Sequence, residues 1–207
     1  MGIPLANFRK NQTPQNDMLK PHQTRVLFLD FDGVLHPPRA IAGAKPPQTP
    51  TQIRAGWPQT FEHLPVLASL LAGHEDVGVV VSSSWRHYLK EPELAELLES
   101  IGPYFAGAVQ HGSRDEAISA YVQEHAIEDF AILDDVQRFF PGDWLQLILC
   151  NSALGISDSS VQQKLNGWLL QSANGKSVSD RAMGSEVRLQ AATSCLPNHD
   201  QLNGVYE

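Results

Sequence analysis

Cysteine is scarce. The 207-residue chain holds two, Cys150 and Cys195, far apart and in no CxxC pair, which argues against both a disulfide framework and a zinc site. Cys150 ends an apolar run and reads as a core residue. Long apolar runs are lacking too: VGVVV at 77–81 is typical, well short of the roughly 20 residues that span a bilayer. The opening stretch MGIPLANFRKNQTPQNDMLKPHQT has no apolar segment of signal-peptide type. Its Gly2 fails the myristoylation pattern because position 6 is Ala where Ser or Thr is required. With neither export signal nor cysteine staples, a cytoplasmic protein is expected. Basic charge is also in deficit. The formal net charge is −8, which opposes the phosphate attraction behind non-specific nucleic-acid binding, so no strong binding of that kind and no membrane partner is expected.

What is present is an ordinary globular composition, 42% hydrophobic and 18% charged, in a length that suits one domain with a full core. Residues 1–24 are polar and aperiodic and read as a flexible N-terminal arm. Residues 172–207 read as a flexible C-terminal tail, leaving a folded domain over 25–171. Within it, RVLFLD at 25–30 is a buried strand. The proline-rich stretch 37–60 reads as a long loop. A helix over 64–73 presents Leu64, Leu67, Leu70 and Leu71 on one face, with Pro65 in its first turn. VGVVVS at 77–82 is a second strand, and Pro92 opens a helix with Leu94, Leu97, Leu98 and Ile101 inward. FAGAV at 105–109, FAILDD at 130–135 and WLQLILC at 144–150 read as three more strands. Helices over 115–125 and 159–170 complete the pattern, the latter capped by Asp158 or Ser159. Strands and helices that alternate about five times predict an α/β three-layer sandwich of Rossmann-like type, with a five-stranded, mainly parallel sheet. Its chemistry is expected at the carboxyl ends of the strands.

Those ends carry distinctive residues. The first strand runs into Asp30-Phe31-Asp32-Gly33-Val34-Leu35-His36. Residues two apart in an extended segment point the same way, so Asp30 and Asp32 can face one pocket, and Gly33 permits a sharp turn behind them. The second strand runs into Ser82-Ser83-Ser84-Trp85-Arg86, where a hydroxyl serves either a phosphate oxygen or a helix cap. Arg114, just before a helix, is either a cation for the same pocket or a solvated surface charge. The fourth strand ends in Asp134-Asp135, a pair that is costly to bury without a cation, unless Asp134 caps the following turn.

Taken together, their order and spacing resemble the haloacid-dehalogenase superfamily from about residue 25 to 170. DFDGVLH is similar to its first motif, the serine after VGVVV to its second, Arg114 to its third and AILDD to its fourth. The third motif ordinarily carries lysine; arginine keeps the charge but turns a point into a fork. DGVLH, SSSWR and LDD together also resemble the narrower set of such domains found in some nucleic-acid end-repair proteins and in small stand-alone bacterial proteins. A phosphate-receiver domain fits less well, because its phosphoacceptor sits on the third strand, which here has no acid. A dinucleotide-binding fold needs G-x-G-x-x-G after the first strand, and the sequence has none there.

The resemblance implies a magnesium-dependent phosphohydrolase with Asp30 as the attacking nucleophile and an aspartyl-phosphate intermediate. Asp32 is then general acid and later general base, its pKa expected to be raised by neighbouring carboxylates. Mg2+ is expected on Asp30, the backbone carbonyl of Asp32, Asp135 and Asp134, with Ser82 and Arg114 on the phosphoryl oxygens. The family puts specificity into cap insertions. Here 37–60 and the interval from Arg86 to Arg114 look too short for a folded cap, which implies an open site and a phosphorylated substrate such as a nucleotide or a nucleic-acid end. Trp85 either stacks on a substrate ring or packs under the loop, and Arg86 is expected at the rim on a second phosphate. The other class of function is a module that binds a phosphorylated ligand without turnover, which has no need of both Asp30 and Asp32.

Overall fold

The computed structural model describes residues 19–38, 49–57, 59–110 and 112–171. Five strands form one parallel sheet: β1 (Arg25–Leu29), β2 (Val77–Val81), β3 (Phe105–Ala108), β4 (Asp129–Asp134) and β5 (Leu147–Leu149), in the order β3-β2-β1-β4-β5. The helices are α1 (Pro50–Gly56), α2 (Leu64–Leu71), α3 (Glu91–Leu97), α4 (Arg114–Glu124) and α5 (Ser159–Gln171). By its contacts the chain divides into residues 1–168, which hold the whole sheet, and residues 169–207, of which only the last three residues of α5 are described.

The sheet is buried on both faces, which is why its strands read as continuous apolar runs rather than alternating ones. All five residues of β1 and of β2 are buried. On one face Val26, Phe28, Val80 and Ile132 pack with Ala117, Ile118 and Tyr121 of α4, and Phe28 meets the Tyr121 ring edge-on at 5.6 Å. Alternate residues such as Leu27, Leu29 and Leu133 point to the other face. Right-handed crossovers place α2 and α3 there, because β1, β2 and β3 step one way along the sheet. After β3 the direction reverses to reach β4 and β5, which puts α4 on the opposite side. The reversal makes the crevice between the carboxyl ends of β1 and β4 the topological switch point, where α/β sheets bind their ligands.

Three sequence expectations need correction. Residues 19–24, read as the end of a mobile arm, are fastened to the sheet: Leu19 packs on the core against Gly78 of β2, and Gln23 Nε2 donates to the carbonyls of Val77 at 3.2 Å and Tyr104 at 3.3 Å. The rest of that arm, and the tail at 172–207, lie outside the described residues. The stretch 37–60, read as loop throughout, contains α1, with residues 39–48 outside the description. β5 covers only Leu147–Leu149, near the end of the 144–150 run, and Trp144 turns onto the core with its ring 5.6 Å from Phe140.

One glycine closes the fold beneath the switch point. Gly155 has φ +53, and a Cβ there would lie 2.1 Å from the carbonyl oxygen of Val34, which accepts from Ile156 N–H at 2.9 Å. The loop after β5 and the turn after β1 thus touch backbone to backbone. Gly155→Ala is expected to destabilise by more than about 2 kcal/mol, from the left-handed conformation plus the enforced separation; a urea midpoint within error of wild type would refute this contact.

Candidate active site

Leu29 pairs with Val81 on one side and Leu133 on the other. One residue further on, Asp30 therefore stands level with Ser82 and Asp134, at the switch point. Asp30 is 3% exposed and Asp134 is fully buried. The carboxylates of Asp30, Asp134 and the half-buried Asp135 offer oxygens that all lie within 4.8 Å of one another. Gly33 makes room for this cluster: it has φ +71, and a Cβ there would come 2.1 Å from Asp135 Oδ2.

Arg114 enters from the first turn of α4. Its Nη1 donates to Asp30 Oδ2 at 2.5 Å and also to Asp134 Oδ2, and its guanidinium lies 4.8 Å over the Phe139 ring. Asp30 Oδ1 accepts from Phe31 N–H at 2.8 Å, and Asp134 Oδ1 from Val136 N–H at 2.8 Å. Asp134 thus serves the cluster and caps the following turn at once. Burial is the largest influence on both acids. It raises the pKa of Asp30 against the pull of Arg114, and it raises Asp134 to about 7 with help from the Asp30 charge. Burial also works against the charge of Arg114, but Asp30 and Asp134 outweigh it and hold the guanidinium protonated.

Asp32 sits beside this cluster with its side chain 38% exposed. Trp85 Nε1–H donates to Oδ2 at 2.8 Å, and His36 Nε2 lies 3.2 Å from Oδ1. Burial pushes the Asp32 pKa up, but the hydrogen bonds from His36 and Trp85 outweigh it and leave the carboxyl below its usual range. This corrects the expectation of a raised value: two ring donors, not neighbouring carboxylates, dominate its surroundings.

The serine run resolves into separate roles. Ser82 and Ser83 are both fully buried. The Ser83 side chain favours the ionised form of Asp30, and its hydroxyl accepts from Trp85 N–H at 3.5 Å. The Ser82 hydroxyl has no hydrogen-bond partner among the described residues. Ser83 was not singled out by the sequence, where three adjacent serines look alike.

The rim position expected for Trp85 and Arg86 is also corrected. Ser84–His87 form a 3-10 turn that folds back beneath the site, leaving the two residues 6% and 8% exposed. Trp85 lies edge-on to Phe31, His36, Trp57 and Phe61, with centroids 5.5–6.1 Å away. Arg86 donates to four backbone carbonyls: Ser82 at 2.7 Å, Ser83 at 2.9 Å, Gln110 at 3.3 Å and Gly112 at 3.0 Å. Arg86→Ala is expected to destabilise by about 3 kcal/mol or more, because buried carbonyls lose a charged donor. Arg86→Lys should recover little, since a point charge cannot span the fork. Equal activity loss on every substrate, together with the lowered stability, is the expected readout; a substrate-selective loss at unchanged melting temperature would restore the rim role.

The family described as HAD domain in Swiss Army Knife RNA repair proteins matches residues 26–161, well over half of the chain. The chain belongs to this family. No curated protein matches it. HAD is the haloacid-dehalogenase fold, and the parallel sheet with Asp30 at its switch point agrees with it. HAD domains are generally hydrolases of the phosphatase type and typically use a divalent metal, for which the Asp30, Asp134 and Asp135 cluster supplies oxygen donors. Among the described residues, no helix is long and apolar enough to cross a membrane.

Proposed function

We propose that this HAD domain is a magnesium-dependent phosphomonoester hydrolase that acts through an aspartyl-phosphate on Asp30, with phosphorylated nucleic-acid ends as substrates. The observation that carries the reading is the surroundings of Asp30: a buried carboxylate at the switch point, held between the Ser83 hydroxyl, Arg114 and two further carboxylates. The substrate class rests on the RNA-repair family match. It rests also on the shortness of the intervals where a cap would be inserted, which hold among the described residues α1 in one and α3, a 3-10 turn at Glu99–Ile101 and β3 in the other. Such a site is open to the end of a long chain.

Asp30, Asp134 and Asp135, with the backbone carbonyl of Asp32, would hold the ion, an all-oxygen set that suits a hard cation. When bound, the ion supplies positive charge against the carboxylates and a phosphoryl oxygen. Asp30 Oδ2 attacks phosphorus, and the bond to the leaving oxygen breaks as Asp32 delivers a proton to it. Asp32 must first take up that proton, and the approach of a phosphate dianion raises its depressed pKa. Asp32 then removes a proton from the water that hydrolyses the aspartyl-phosphate and releases inorganic phosphate. The bonds of Arg114 to Asp30 and Asp134 both use Nη1, which leaves Nη2 and Nε for phosphoryl oxygens; the unpartnered Ser82 hydroxyl joins them.

The test is phosphate release from a panel of 5′- and 3′-phosphorylated RNA and DNA oligonucleotides, mononucleotides and an aryl phosphate, with and without magnesium. Magnesium-dependent release, fastest on oligonucleotide ends, is expected. Tight binding of a phosphorylated oligonucleotide without any release would replace hydrolysis by a binding role.

A further inference from the structure

His36 closes the DGVLH segment but has no part in the chemistry assigned above, and it is one of the most buried polar residues, 1% exposed. Its backbone carbonyl accepts from Gly33 N–H at 2.7 Å, which folds the segment back beside Asp32. Its ring is held from two sides. Nδ1 accepts from the Phe61 backbone N–H at 3.4 Å, and Nε2 faces Asp32 Oδ1 at 3.2 Å. A ring nitrogen that accepts carries no proton, so with Nδ1 as acceptor the nitrogen that donates to Asp32 is Nε2. Trp85 Nε1–H takes the other oxygen, Oδ2, at 2.8 Å.

Phe61 supplies the amide that fixes this tautomer, and it does so from a left-handed backbone, φ 62. A bulky residue avoids that region unless its surroundings over-determine it. Here they do: the Phe61 ring lies edge-on to Phe31 at 5.0 Å, His36 at 5.3 Å and Trp85 at 5.5 Å, and His63 N–H beyond it donates to Leu35 O at 2.9 Å. The strained segment aims the Phe61 amide at His36.

We propose that His36 and Trp85 are positioning residues that hold the Asp32 carboxylate in a single orientation for proton transfer to the leaving oxygen, with the Phe61 amide setting the His36 tautomer. The inference rests on the hydrolase reading given above. A free carboxylate rotates about its Cβ–Cγ bond; one whose two oxygens each accept from a packed ring does not. The buried side of Asp32 is taken by these donors, and its exposed side remains for the substrate. Both donors lie beneath the site, so neither needs to touch the substrate to affect the reaction.

The prediction is a change in leaving-group sensitivity, which general destabilisation does not produce. The kcat/KM of the full-length chain, with magnesium, reports the step in which the ester oxygen departs. An alkyl phosphate needs a proton at that oxygen, whereas 4-nitrophenyl phosphate needs little help. In His36→Phe the ratio of kcat/KM, alkyl over nitrophenyl, is expected to fall by roughly 10–100-fold, part of the 10²–10⁴-fold that a placed acid contributes. His36→Gln, which restores an N–H donor, should recover most of the ratio, and Trp85→Phe, which removes the other donor, should lower it as His36→Phe does. An unchanged ratio in folded His36→Phe and Trp85→Phe, or equal losses on both esters, would overturn the proposal. Nitrogen-15 chemical shifts of His36 give a readout independent of turnover. They should show Nε2 protonated and Nδ1 bare; the opposite tautomer defeats the inference even if the chain proves an active phosphatase.

Discussion

Asp30→Asn is expected to abolish phosphate release from every substrate, by on the order of 10⁴-fold or more, the scale of losing a covalent nucleophile. The substitution is nearly isosteric. The amide oxygen it introduces can still accept from Phe31 N–H, and Arg114 keeps its bond to Asp134. What disappears is the charged oxygen to which the proposed reaction assigns the attack on phosphorus. Burial already disfavours the ionised form of Asp30, so a neutral amide carries less desolvation cost at that position. Melting temperature should therefore stay within a few degrees of wild type, and the loss of turnover can be assigned to chemistry. Residual turnover in a pure preparation would remove Asp30 from its role, whatever happened to stability.

The second large effect is a stability that falls as pH rises when metal is withheld. The Asp134 carboxyl is raised to about 7, by burial first and the Asp30 charge second, against about 3.9 in an unfolded chain. Between those values the folded state binds more protons than the unfolded one, so unfolding free energy decreases with pH. The stabilising contribution is complete below about pH 4 and is lost as pH rises through about 7. Asp30 shifts in the same direction. Asp32 is depressed, so its contribution is present above the unfolded value and lost on acidification, outside this window. A change on the order of a few kcal/mol is implied for Asp134, or roughly 5–10 °C for a domain of this size. With a chelator, the melting temperature should drop between about pH 5 and pH 8, and Asp134→Asn should flatten that drop. Millimolar magnesium at the alkaline end should reverse it, since a ligand of the native state at a hundredfold over its dissociation constant contributes about 2.7 kcal/mol. A pH-flat chelated protein would mean that the carboxylates are neutralised some other way.

Much of this is legible in the sequence alone. The parallel sheet is readable because strands buried on both faces must be continuously apolar, and VLFL at 26–29 and FAIL at 130–133 are. Asp30, Arg114, Asp134 and Asp135 are readable because each ends or follows a strand or opens a helix, and the structure brings them together. Helix α1 is hidden by the prolines around it, yet its own Pro50 occupies the first turn, where proline is tolerated, and Thr49 caps it by accepting from Gln52 N–H at 3.2 Å. The division of roles between Ser82 and Ser83 depends on strand register, which composition does not encode. Trp85 and Arg86 mislead for a different reason. An aromatic and a cation after a phosphate motif look like substrate contacts, and only the backward fold of the 3-10 turn shows that their donors point inward. His36 carries one available signal, its spacing of four from Asp32 across Gly33.

Arg86 has a consequence for anyone who would re-engineer this scaffold. A single guanidinium bonds the backbone of residues 82–83 and of residues 110 and 112. Those two loops deliver, respectively, the serines beside Asp30 and the entry to the helix that carries Arg114. They are therefore one module rather than two. A graft that replaces either loop alone, or lengthens 110–112 by a residue, would misalign the serines beside Asp30 with the entry to the helix of Arg114. A library that varies them jointly, with Arg86 retained, is the one that should yield folded and active members.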